Sequence, residues 1–85
     1  MHDTFLVKRI SEALGELFEE KKLGRITKLR IITSKDSHIR QKDLYEHLLE
    51  EYKGIAGEWT EIIIEHQDIE SLTAIIESVE GDILG

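Results

Sequence analysis

Apolar residues recur at three- and four-residue spacing over the first quarter of the chain, with Lys, Arg and Glu between them. This pattern is typical of an amphipathic helix, which we predict to extend to about Lys22. Asp3 and Thr4 are both suitable N-cap residues, Gly15 permits close packing, and Gly24 is predicted to end the helix. The apolar face consists of Leu6, Ile10, Leu14, Leu17 and Phe18.

The next segment, RITKLRIIT at residues 25–33, is rich in β-branched residues and predicts a strand. Alternation over its centre places Leu29 and Ile31 toward a core. The same alternation places Lys28 and Arg30 toward solvent.

Further along the chain, the same two periodicities predict a second helix and a second strand. The polar loop SKDSH at residues 34–38 precedes residues 41–52, in which leucines and a tyrosine recur at helical spacing. KGIAG at residues 53–57 ends that helix with two glycines. WTEIIIEH at residues 59–66 then predicts a strand with isoleucines on both faces.

The last segment, residues 69–80, fits two structures. Ile69, Leu72, Ile76 and Val79 keep helical spacing, and Asp68 could cap such a helix. Residues 72–79 also fit a strand that follows a short turn. Periodicity by itself favours the helix.

Composition limits the class of protein. The 85 residues fit one small domain, and the absence of cysteine excludes disulfides, thiolate zinc sites and cysteine nucleophiles. No apolar run approaches the roughly 20 residues of a membrane helix, and no signal-peptide pattern opens the chain, so we expect a cytoplasmic protein. The net charge of −7 argues against nucleic acid as a partner. The basic stretch at residues 21–30 is interpreted as a solvated surface, with a patch for an acidic partner as the alternative.

The first two residues bring three nitrogen donors within a few bonds of one another. The Met1 α-amine and the His2 amide nitrogen close a five-membered ring around a metal, and that amide with the His2 imidazole closes a six-membered ring. Three nitrogens in one plane suit the square-planar preference of Ni(II) or Cu(II). Asp3, another side chain or water would supply a fourth ligand, although Asp3 also suits a helix cap. An ordinary chain terminus without metal is the alternative.

The order of these motifs resembles the HypA/HybF family of nickel metallochaperones, which serve the maturation of nickel–iron hydrogenases and, in some organisms, of urease. The family opening Met-His-Glu corresponds to MHD at residues 1–3, and its Gly-x-x-Val-Thr-x-Val-x-Leu-like strand to GRITKLRI at residues 24–31. The second helix matches around DLY at residues 43–45. The family's glycine turn and following strand are echoed at residues 53–57 and 62–65.

Two departures from the family pattern stand out. Family members carry a zinc domain, built on two CxxC pairs, between their second and third strands, whereas this chain has no cysteine and no room for it. Asp3 stands where the family has Glu. The resemblance therefore implies a single nickel-binding domain over residues 1–85, with Ni(II) held by Met1, His2 and Asp3 and with no zinc.

The resemblance also decides between the two structures of the last segment. It implies a third strand beside the second, as a hairpin that turns at residues 67–71. The predicted fold class is α+β with two layers, in which two helices pack on a small, three-stranded, mostly antiparallel sheet.

The function implied by the resemblance is that of a nickel-binding metallochaperone-like protein, not an enzyme. Its partners would be hydrogenase (or urease) maturation proteins, among them a nucleotide-dependent nickel-insertion protein, with no membrane partner and a homo-oligomer left open. The alternative is a HypA-like interaction module that has lost metal delivery and uses its acidic surface or an exposed sheet edge. A small hydrolase using Asp43 and His47 is the weakest hypothesis.

The remaining histidines and two aromatic residues have simpler interpretations. His47 lies four residues from both Asp43 and Glu51, which favours a surface salt bridge over metal binding or acid–base chemistry. His38 is interpreted as a solvated loop residue, with a remote metal ligand as the alternative. His66 lies at a strand end and has no assigned role. Trp59 and Tyr45 are expected in the core or at its rim.

Overall fold

The computed structural model describes the backbone of residues 2–83 and the side chains of residues 5–83. Over that range the chain forms two helices and three strands, and the strands build one mixed sheet in the order β2-β1-β3. The predicted α+β class is confirmed, and the last segment is a strand. The elements are α1 (His2–Lys21), β1 (Leu23–Ser34), α2 (Gln41–Glu51), β2 (Glu61–Gln67) and β3 (Ala74–Ile83).

The central strand of the sheet is β1, which is parallel to β2 and antiparallel to β3. The predicted hairpin between the second and third strands is therefore wrong, and the sheet contains one parallel and one antiparallel pair. Parallel strands need a crossover connection, which α2 provides between β1 and β2. Because β2 runs parallel to β1, it ends beside the end of β1. Residues 68–73 then cross over the end of β1, so that β3 begins on the other side of β1 from β2.

The core lies between the two helices and one face of the sheet. Leu14 of α1, Leu29 and Ile31 of β1, and Leu44 and Leu48 of α2 are all completely buried. The apolar face predicted for the first helix packs there as expected, with Leu17 only partly buried. Lys28 and Arg30 alternate with the buried residues of β1 and lie on the opposite face of the sheet.

The ends of α1 differ from the prediction at both termini. The helix begins at His2, so Asp3 and Thr4 lie within its first turn and neither residue is its N-cap. At the other end Lys22 adopts φ +52, the left-handed conformation that commonly ends a helix. Gly24 is already part of β1, because a lysine rather than a glycine makes the turn.

Gly15 allows close contact between α1 and the end of α2, as predicted. A Cβ atom at Gly15 would lie 2.5 Å from the Tyr52 hydroxyl oxygen. That hydroxyl donates a hydrogen bond of 2.7 Å to the Ser11 carbonyl oxygen. The Tyr52 ring also meets the Phe18 ring edge-on, with 4.9 Å between centroids, so both helices are joined at this point.

Candidate functional site

The predicted metal ligands lie at the start of α1. Met1 and the side chains of His2 and Asp3 lie outside the described residues, whereas the His2 backbone forms the first residue of the helix. The first four amide groups of an α-helix have no acceptor within the helix. The His2 amide nitrogen is therefore not used by a hydrogen bond within α1, as coordination through that atom requires.

Exposed apolar residues lie within a turn or two of this helix end. Phe5 is 55% exposed, and the guanidinium of Arg9 lies over its ring, 5.6 Å from the ring centroid. Beside them a groove of about 280 Å³ separates α1 from the start of β3. Leu72 borders the groove, is 62% exposed and has φ +58, a backbone conformation that leucine rarely adopts. The end of α1 at which the metal ligands are predicted is thus next to a partly apolar surface.

Two loops meet at the end of the sheet where β1 and β2 finish. The Ser71 hydroxyl, in the connection between β2 and β3, donates a hydrogen bond of 2.8 Å to the Asp36 carboxylate. The hydroxyl of Ser34, followed by that of Ser71, lowers the pKa of Asp36, and the charge of His38 lowers it slightly further. His38 is exposed, in agreement with its interpretation as a loop residue.

We expect Ser71→Ala to raise the pKa of Asp36 toward its ordinary value of 3.8, because the carboxylate loses a donor. A carboxyl group whose pKa is lowered in the folded state stabilises the fold at pH values above its ordinary pKa. This stabilisation is lost as the pH falls through the folded-state pKa. Carboxyl ¹³C titration by NMR measures the shift, with Ser78→Ala as a control. An unchanged Asp36 titration in Ser71→Ala would contradict the described hydrogen bond.

The predicted salt bridge between Asp43 and His47 does not form. Asp43 instead pairs with Arg40, whose Nε lies 3.3 Å from Oδ2 of the carboxylate. The planar arginine guanidinium suits a carboxylate, and Arg40 lies three residues before Asp43, close to it on the same side of the helix. His66 is exposed at the end of β2. Among the described residues no group of three or more His, Asp or Glu side chains could hold a metal ion.

The basic stretch at residues 21–30 does not form one patch. Arg25 lies over the ring of Trp59, 4.7 Å from its centroid, and Arg30 is paired with carboxylates on the sheet. Trp59 is 41% exposed and its indole N–H donates to the Ile55 carbonyl oxygen at 3.3 Å, which confirms the rim position predicted for it. Tyr45 is partly buried against the core.

Sequence analysis missed the acidic partners of Arg30. Glu65 of β2 and Glu77 of β3 both form ion pairs with its guanidinium. The outward orientation of Arg30 was predictable from alternation, but its partners depend on which strands flank β1. Alternation in β2 was the available signal for Glu65, whereas Glu77 lies at a register shift in β3, and both partners required the strand order to be recognised.

The part of the chain that the structure describes contains no helix that is both long and apolar enough to cross a bilayer. No protein-family model matches the chain, and no curated protein or solved structure is similar to it.

Proposed function

We propose that this chain is a nickel-binding metallochaperone-like domain of the cytoplasm. It holds Ni(II) through the Met1 amine, the His2 amide and the His2 imidazole, with Asp3 or water as the fourth ligand. It then passes the ion to a nucleotide-dependent insertion partner during maturation of a nickel–iron hydrogenase or of urease. The observation that carries the proposal is the Met1-His2 dipeptide in the sequence, together with the position of the His2 backbone as the first residue of α1.

The position of the dipeptide suits a site that must release its ion. Leu6 and Ile10 anchor the first half of α1 in the core, being 2% and 3% exposed. The partial positive charge at a helix N-terminus opposes a dication, while a deprotonated amide and the Asp3 carboxylate offset part of that repulsion. We therefore expect weak binding. Cu(II) should bind at least as tightly, so that nickel selectivity depends on supply and on the partner.

Calorimetric titration of the untagged chain with Ni(II) tests the proposal. We expect one ion per chain and the visible absorption of square-planar Ni(II). Binding should weaken as the pH falls below the α-amine pKa of about 7.7–8.0, because protons compete for the nitrogen donors. A chain that binds no Ni(II) at near-neutral pH would exclude the chaperone function and favour the interaction-module alternative.

A further inference from the structure

Every strand of the sheet contains consecutive isoleucines, at residues 31–32, 62–64 and 75–76. Neighbouring residues of a strand point to opposite faces, so each run places isoleucine on both sides of the sheet. Strands that are apolar on both faces are typical of sheets covered on both sides, above all where strands are parallel. Within residues 2–83 the helices cover only one side.

The isoleucines of the second side form a diagonal strip across the sheet. Ile32, Ile63 and Ile75 do not belong to the core cluster. Ile75 is 47% exposed, and the other two are half-buried. Ile32 is in register with Ile75 on β3, and Arg30, two residues earlier on β1, is in register with Ile63 on β2. We call this side the open face.

Arg30 lies at the middle of the open face between two acids. It forms ion pairs with Glu65 of β2 and with Glu77 of β3, the latter at 2.9 Å between Nε and Oε1. In each pair at least one of the two side chains is more than one-third exposed. Solvent therefore screens the attraction between the charges.

Lys28 repeats this arrangement one step along β1. It is in register with Glu61 of β2 and Glu80 of β3, both of which are exposed. Two central cations are therefore flanked by four acids, which leaves a surplus of two negative charges on this face. The acids form a row on each edge strand, named here the acidic rows: Glu61 and Glu65 on β2, and Glu77 and Glu80 on β3.

We propose that the open face binds an amphipathic helix of another protein, one whose apolar stripe is flanked on both sides by Lys or Arg. The isoleucine strip crosses the strands, so a helix seated on it lies across the sheet. The register places Glu65 on one side of that helix and Glu61, Glu77 and Glu80 on the other. Its basic side chains reach acids on both sides of the helix, since their long stems lie along apolar surface while their charges meet the carboxylates.

Charge decides between this occupant and a second copy of the chain. Two open faces brought together would each present surplus negative charge, in a protein whose net charge is already −7. A basic helix meets complementary charge instead. The proposal does not depend on nickel binding, because no residue of the open face belongs to the proposed metal site.

A synthetic helical peptide of about 18 residues, with a leucine stripe and lysines on both flanks, is the probe. Titrated into the ¹⁵N-labelled chain, it should shift the amide resonances of the open-face residues and leave those of α1 and α2 in place. The same peptide with glutamate at every lysine position should not bind. Absence of any shift with the basic peptide, or shifts confined to the helices, would overturn the proposal.

Charge reversal supplies the matched comparison. The double variant Glu61→Lys with Glu80→Lys should weaken peptide binding by about tenfold or more, because it removes one acid from each row. The control Glu46→Lys with Glu50→Lys changes net charge equally at exposed positions of α2 and should bind like the native chain. Equal weakening in both double variants would show a response to net charge only and refute the site.

The isoleucine strip is tested separately by Ile75→Ser, because Ile75 is exposed and lies outside the core cluster. This variant should bind the basic peptide several-fold more weakly while retaining the native circular dichroism spectrum. Unchanged affinity would remove the apolar part of the proposal. A native chain that sediments as a dimer, and as a monomer after Ile75→Ser, would assign the face to a second copy instead.

Discussion

Replacing His2 with alanine is expected to abolish Ni(II) binding by the untagged chain. The imidazole closes the six-membered chelate ring, and without it the terminal amine and one amide leave only two nitrogen donors. With only two donors, Ni(II) does not displace the amide proton at neutral pH. Coordination by the amine and the amide is therefore lost along with that of the imidazole. Calorimetry and the square-planar absorption band measure the loss.

Acetylation of the Met1 α-amine should have the same effect as His2→Ala. The acetyl group removes the amine donor of the five-membered ring with the His2 amide, although every side chain is kept. The triple variant His38→Ala, His47→Ala and His66→Ala is the control and should bind Ni(II) like the native chain. Binding that survives both terminal changes, or that is lost in the triple variant, would place the ion elsewhere.

Gly81→Ala is expected to cost on the order of 3 kcal/mol of the free energy of unfolding. A Cβ atom at this position would overlap the carbonyl oxygen of Arg25 and approach the Ile26 backbone. These are backbone atoms of the central strand, paired with β3 at Ile26 and Gly81, and cannot rotate away as a side chain could. The strands must separate locally, which is a large loss against the roughly 5–15 kcal/mol that stabilises a domain.

Urea denaturation measures this loss, and Glu80→Ala is the adjacent control. Glu80 is exposed, so its replacement should change the free energy of unfolding by less than about 0.5 kcal/mol. If Gly81→Ala proved as stable as the native chain, β1 and β3 could not be as close at Gly81 as described.

The types of the first four elements were predictable because each is encoded within a few neighbouring residues, whereas periodicity favoured a helix where β3 forms. Helical spacing identified the buried face of α1, and alternation identified which side of β1 carries Leu29 and Ile31. The end of α1 was less predictable. Lys22 adopts a conformation that glycine would be expected to take, and no local pattern indicates this.

The proposed metal site depends most directly on sequence, since its donors are adjacent in the chain. Met1 and His2 can form chelate rings through covalent connectivity alone, and the fold adds only that the His2 amide begins a helix. The open face is the opposite case. The consecutive isoleucines of each strand were visible in the sequence. Which face of the sheet the helices leave uncovered was not.

By itself, then, the sequence determined the types of the first four elements and the buried faces of α1 and β1, and the proposed nitrogen donors lie at its first two positions. Only the tertiary structure decided that β3 pairs with β1, that Glu65 and Glu77 meet at Arg30, and that Ile32, Ile63 and Ile75 share an uncovered face. The physical reason is the distance along the chain over which each effect acts. Periodicity and chelation act between neighbours in the chain, whereas strand order depends on which packing of the whole chain buries the most apolar surface.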